Sequence, residues 1–173
     1  MNMRNYLELV KILKSMDLDA YIVPKNNTYL SSDLLPHEER LKFITNFSGS
    51  YGFVVITKYK NDKSAIISDG RYKLQIEKEV DNKHFSQFEG GLEKVSNFLN
   101  SKKNNYKNVG VDPLLISKHD FHFLENDLKR SKIQLKKINV NLVDKIWHDK
   151  PKVPKSNIIT LSYKYTGESH VNK

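Results

Sequence analysis

Short apolar runs alternate along the chain with amphipathic stretches, a pattern that predicts strands and helices in turn. Tyr6, Leu7, Val10, Leu13 and Met16 recur at helical spacing, so residues 5–16 read as an amphipathic helix. Residues 20–23 form a short apolar run stopped by Pro24, as a buried strand would be. Residues 26–36 are polar and irregular, a loop long enough to have a purpose. Over residues 38–47, Leu41, Ile44 and Phe47 share one side of a short helix. Gly49, Ser50, Tyr51 and Gly52 punctuate the chain before a strand at 53–57. A polar turn then leads to a second strand at 64–68, which predicts a hairpin. The helix expected over 72–80 places Leu74 and Ile76 in its apolar set and turns Glu77 and Glu79 outward.

Residues 84–88 alternate as a strand does, and Gly90 and Gly91 introduce a helix that runs through Leu99. A strand follows at 106–112, closed by Pro113. Ser117 is a suitable N-cap for a helix reaching about Arg130, with Phe121, Leu124 and Leu128 on its buried face. Residues 134–138 read as a strand and 140–147 as one further apolar helix or turn. Strands and helices in this order predict an α/β domain, a mixed β-sheet flanked by helices, complete by about Trp147. Pro151 and Pro154 then push their predecessors out of helical space and make a stiff, extended linker. Ile158 to Leu161 would begin a new strand. The expected organisation is one domain over 1–149, then a linker and the start of a second domain over 150–173.

A chain of 173 residues can bury a sizeable core without staples, and it contains no cysteine, which excludes disulfides, thiolate zinc sites and cysteine nucleophiles. The longest apolar stretches are too short to span a bilayer, and residues 1–14 lack the apolar block of a signal peptide. A soluble, cytoplasmic protein without membrane contact is expected. The formal charge of +9 raises the question of a nucleic-acid partner. Nearly all of that charge is lysine spread along the chain, and the arginines suited to forked phosphate readout are only Arg4, Arg40, Arg71 and Arg130. A compositional drift towards Lys and Asn accounts for the charge, and no nucleic-acid partner is expected.

No phosphate-binding glycine loop, dinucleotide fingerprint, HExxH helix or nucleophile elbow occurs. The histidines are His37, His84, His119, His122, His148 and His170; His119 and His122 are three apart on a predicted helix but have no evident third metal ligand. Asp69, Glu77, Asp112 and Asp144 fall near strand ends, where a two-metal nuclease would place its carboxylates, and where Asp69 and Asp112 would equally cap turns. The remaining feature is the run Asp69, Gly70, Arg71 and Tyr72, a sharp turn directly after a strand. It would lift Arg71 to the sheet edge, to meet either a carboxylate of a ligand or an acidic residue of the domain.

That DGRY run, followed by Leu74 and Gln75, resembles a segment of the aminopeptidase P family. The stretches DAYIVP at 19–24, Glu39 with Arg40, FITNFSGS at 43–50, VGVDPL at 109–114 and NLVDKIW at 141–147 are similar to that family's first domain, in the same order. Pro151, Pro154 and the Tyr165, Thr166, Gly167 run resemble its link to a second domain. The resemblance implies an Xaa-Pro aminopeptidase that removes the residue preceding a proline at the second position of a peptide. It further implies a creatinase/prolidase-type N-terminal domain of RNase H-like topology, which helps wall off the substrate cleft and supports a homodimer. The family's two metal ions, usually manganese, belong to a pita-bread catalytic domain that lies outside this chain. The chain alone is therefore expected to hold no metal, to contain no catalytic residue and to be inactive, with its own C-terminal catalytic domain as its partner.

Within the resemblance, Arg71 stands where a residue facing the cleft is expected. The family commonly has Glu-Tyr in the loop before Glu39 and Arg40, and here Ser32 and Asp33 stand there. Asp33 is the candidate to replace that glutamate, through a one-residue slip of the loop. Asn46 replaces a usual glycine and tolerates a left-handed backbone better than most residues. A free-standing basic domain binding RNA, and the two-metal nuclease, are the alternative readings.

Overall fold

The computed structural model describes residues 3–102, 105–169 and 171–172. Helix α1 (Met3–Ser15) leads into strand β1 (Ala20–Pro24), a loop with one 3-10 turn, and helix α2 (Arg40–Thr45). The hairpin β2 (Phe53–Thr57) and β3 (Ser64–Ser68) is followed by helix α3 (Lys73–Glu79). Strand β4 (Phe85–Glu89), helix α4 (Leu92–Ser101), strand β5 (Asn108–Val111), helix α5 (Lys118–Arg130), strand β6 (Gln134–Lys137) and helix α6 (Leu142–Ile146) complete the layers. A last helix, α7 (Tyr163–Thr166), stands apart from them.

The six strands form one sheet in the order β4-β3-β2-β1-β5-β6. Only β2 runs against the others: it is antiparallel to β1 and β3, while the pairs β1/β5, β3/β4 and β5/β6 are parallel. The carboxyl ends of five strands therefore share one edge with the start of β2.

Period-two alternation divides the buried residues between two faces. Tyr21, Val23, Val54, Ile56 and Ile66 pack with Leu9 and Leu13 of α1, Leu41 and Ile44 of α2, Ile76 of α3 and Val143 of α6. Ala20, Ile22, Val55, Ala65, Ile67, Val109 and Val111 pack instead on Val95 and Leu99 of α4 and on Phe121, Leu124 and Leu128 of α5. Because both faces are covered, β1 and β3 are buried at every position and read as unbroken apolar runs. Ser117 caps α5 by accepting from the Asp120 amide, and Asn141 caps α6 by accepting from Val143 and Asp144.

Three expectations change. Leu74 is 69% exposed while Ile76 is buried. Positions i and i+2 lie about 200° apart around a helix, so Leu74 and Ile76 cannot share a face. Of the α1 set, Tyr6, Val10 and Leu13 are buried as expected, but Leu7 and Met16 lie outside the core and Leu9 joins it. Residues 158–161 form no strand and are exposed, followed by the single turn of α7. A strand needs a neighbour for its backbone donors and acceptors, and among the described residues no strand pairs with this segment.

Candidate functional site

Strand pairing, parallel for β3 with β4 and antiparallel for β2 with β1 and β3, brings the segments after β1, β3 and β4 and the segment before β2 to one edge. There Ser32, Ser50, Tyr51, Asp69, Arg71, Gly90 and Gly91 line an open cavity of about 530 Å³. Asp69 follows β3 in extended backbone, and its carboxylate caps the next turn by accepting from the Arg71 amide at 3.0 Å. The same carboxylate accepts from Arg71 Nε at 3.0 Å and Nη2 at 2.8 Å. Arg71 holds the Asp69 carboxyl below the usual carboxylate range, and Asp69 raises the Arg71 guanidinium in return. Asp69 takes two of the guanidinium's five N–H donors, which leaves three for a ligand. The Arg71 side chain is 80% exposed, so these donors are open to solvent.

The loop before β2 supplies the opposite lip. Asn46 closes α2 in the left-handed region with φ 70°, so the helix stops short of Phe47, the end that the apolar spacing predicts. Burial and the charge of Glu93 push the Tyr51 phenol up, so it remains a protonated donor. The loop after β1 is held by its own polar contacts. Buried Lys25 pairs with Glu39, and Asn27 Oδ1 accepts from the Tyr29 and Ser31 amides, both at 3.0 Å. Glu38 Oε2 accepts from Asn27 Nδ2 at 3.2 Å and from the Leu35 amide at 3.0 Å. This arrangement sets Ser32 on the cavity with Arg71. Asp33 is exposed, with its amide bonded to Ser31 Oγ, and is not among the lining residues.

The other candidates stay apart. Asp112 caps its own turn through the Leu114 amide and accepts from Asn141 Nδ2. It follows β5, three strand spacings from β3, or about 14 Å. Asp144 forms a forked pair with Arg40, both bonds at 2.9 Å, and also meets Lys150. Glu77 is exposed on α3. His119 and His122 are exposed on α5, with His122 beside Glu125, and His170 lies outside the described residues. Among the described residues, no group of three or more His, Asp or Glu is placed to share a metal ion. Nor is any helix among them long and apolar enough to cross a membrane. Lys58, Lys60, Lys63 and Lys83 line a second cavity at the opposite edge, where Lys58 is already paired with Asp19.

Residues 7–144 match the model of the creatinase/prolidase N-terminal domain. The chain belongs to that family. Probable Xaa-Pro aminopeptidases P from Laccaria bicolor and Neurospora crassa are 32% and 34% identical over 170 residues each. The alignments cover 96% and 95% of this chain but only 26% and 24% of those proteins, so the chain spans about a quarter of their length. Among solved structures, an X-prolyl aminopeptidase from Caenorhabditis elegans superposes with a TM-score of 0.84 at 24% identity, covering 98% of this chain and 29% of that one. It is described as a cytosolic enzyme with a di-nuclear active site. The N-terminal domain of the cytoplasmic peptidase PepQ from Mycobacterium tuberculosis gives 0.65 at 14% identity, covering 83% of this chain and 98% of that one. At these identities the two structures establish the fold: a mixed six-stranded creatinase/prolidase sheet flanked by helices.

Of the rim, the sequence pattern singled out Arg71 and left its partner open between a ligand and an acidic residue. The partner in this creatinase/prolidase domain is Asp69, two residues away. The roles of Ser50, Tyr51 and the Gly90–Gly91 pair were not anticipated. Their one local signal was that glycine-rich turns stand at strand ends on both sides of the DGRY run.

Proposed function

We propose that this chain is the non-catalytic N-terminal domain of a metal-dependent Xaa-Pro aminopeptidase, and that its carboxyl sheet edge walls the cleft that receives the peptide. The observation that carries this reading is Arg71, anchored by Asp69 with three N–H donors open beside Ser32, Ser50 and Tyr51. In it, Arg71 meets an oxygen of a peptide whose second residue is proline. Asp33, one residue beyond Ser32, is the second candidate, reaching the substrate's amino end if its loop shifts. A pair of divalent ions, manganese or similar, sits in a catalytic domain outside these residues and activates the attacking water. The present chain supplies walls and donors, and alone it neither binds the metal pair nor cleaves peptides. Its partners are that catalytic domain and a second copy of the protein, in the cytoplasm.

The division into a domain over 1–149 and a linking segment over 150–173 belongs to the same proposal. It is supported by the exposure of residues 151–168 and by a family match that stops at 144. The test is kinetic. In the full-length gene product, Arg71→Ala should lower kcat/KM for Xaa-Pro peptides by roughly tenfold or more, the worth of a charged hydrogen bond. Unchanged kinetics with unchanged folding would sink the reading.

A further inference from the structure

Tyr72 touches several parts of the rim at once. Its ring meets Phe47 edge-on at 5.5 Å and 86°, and the Arg71 guanidinium carbon lies 5.7 Å from the ring centre. Gly49 rests against the same two rings: a Cβ there would come within 2.2 Å of Phe47 and 2.8 Å of Tyr72. The Tyr72 hydroxyl and Ser50 Oγ share a hydrogen bond of 2.8 Å. Two residues earlier, Glu79 accepts from the Ser48 amide and from Ser48 Oγ, both at 2.8 Å, and Gln75 Nε2 donates to both side chains. The loop before β2 is thus fastened twice, at Ser48 by Glu79 and at Ser50 by Tyr72. Ser50 and Arg71, which line one cavity, both meet the same tyrosine, Ser50 through a hydrogen bond and the guanidinium over its ring.

We infer that Ser50 is a second substrate-contacting residue, acting with Arg71 on a carbonyl or carboxylate oxygen of the bound peptide, and that Tyr72 is the positioning residue that sets the two relative to each other. This rests on the cleft-wall reading above. When the phenol donates to Ser50 Oγ, the serine's own proton is free to point into the cavity. A hydroxyl that accepts one hydrogen bond while donating another is the stronger donor. The nearest lining carboxylate, Asp69, is already engaged by Arg71. The pair therefore offers donors and selects an oxygen-bearing group over an ammonium.

The experiment uses the full-length gene product and Xaa-Pro peptides, with Tyr72→Phe and Ser50→Ala made singly and together, and Arg71→Ala alongside. Each single change should raise KM about fivefold with kcat within about twofold, the loss of one neutral hydrogen bond made to bound substrate. The double variant should be no worse than either single one, because both remove the same link. A Tyr72 with a merely structural role would lower the melting temperature without moving KM, and additive losses would equally overturn the positioning role. If Tyr72→Phe fails to fold, exposed Ser50 decides the matter through Ser50→Ala, and an unchanged KM there overturns the inference. Should Arg71→Ala impair the enzyme while the other two leave KM unchanged, this inference fails and the cleft reading survives. If Arg71→Ala is silent as well, both fail.

Discussion

Asp19 is the acceptor that joins the starts of β1 and β5 to the hairpin, and its removal should cost about 3 kcal/mol. The side chain is 5% exposed, and four donors converge on it. Lys58 Nζ approaches Oδ1 at 2.7 Å and Tyr59 Oη at 2.8 Å, while the amides of Lys107 and Asn108 meet Oδ2 at 2.7 and 2.8 Å. In Asp19→Ala, two backbone amides and a half-buried ammonium lose this acceptor, at about 1 kcal/mol each. Tyr59 retains the Asn105 carbonyl and adds little. For a chain of this size the sum corresponds to a fall of roughly 6–12 °C in melting temperature. Asp19→Asn keeps one acceptor oxygen but turns an NH2 towards donors, so about half that loss is expected.

The pH dependence provides a second readout. Burial alone would raise the Asp19 carboxyl, but the bonds from Lys58, the two amides and Tyr59 outweigh it and hold the group below its ordinary value. A carboxyl whose folded pKa is depressed contributes stability above its unfolded pKa, near 4, and loses it as pH falls through the folded pKa. The gap between wild type and Asp19→Asn should therefore be constant above about pH 5 and narrow steadily below about pH 4.5. Urea unfolding followed by the single tryptophan, Trp147, stacked on Phe43 at 4.6 Å, measures both quantities. Variants within about 0.5 kcal/mol of wild type, or a gap independent of pH, would refute the reasoning.

Removing Asp144 strands the Arg40 guanidinium, only 11% exposed, and should destabilise the chain by about 2 kcal/mol by the same unfolding assay. Gly49→Ala drives a methyl into Phe47 and Tyr72 and should cost about 1–3 kcal/mol, with a changed aromatic circular dichroism signal. Deleting residues 151–173 should move the melting temperature by less than about 2 °C, since 151–168 are exposed; a larger drop would place the domain boundary later.

Local chemistry determined much of this protein from the sequence alone. The Ser117 cap and the Phe121, Leu124 and Leu128 stripe define α5, and unbroken apolar runs bounded by polar turns define β2 and β3. A helix period or a strand run depends on neighbours within a few residues, so it can be read directly. Strand order and direction depend on contacts far apart in the chain. Nothing local says that β1 pairs with both β2 and β5, or that β2 alone runs against the sheet. The same limit governed the site. Arg71 was visible because its turn is local, and the sequence also supplied Asp69, but only the fold made Asp69 its partner rather than a metal ligand beside Asp112. Ser32 and Ser50 lie 18 residues apart and 39 and 21 residues before Arg71, counting positions in the sequence, and reach one cavity because parallel and antiparallel pairing carries their loops to the same edge.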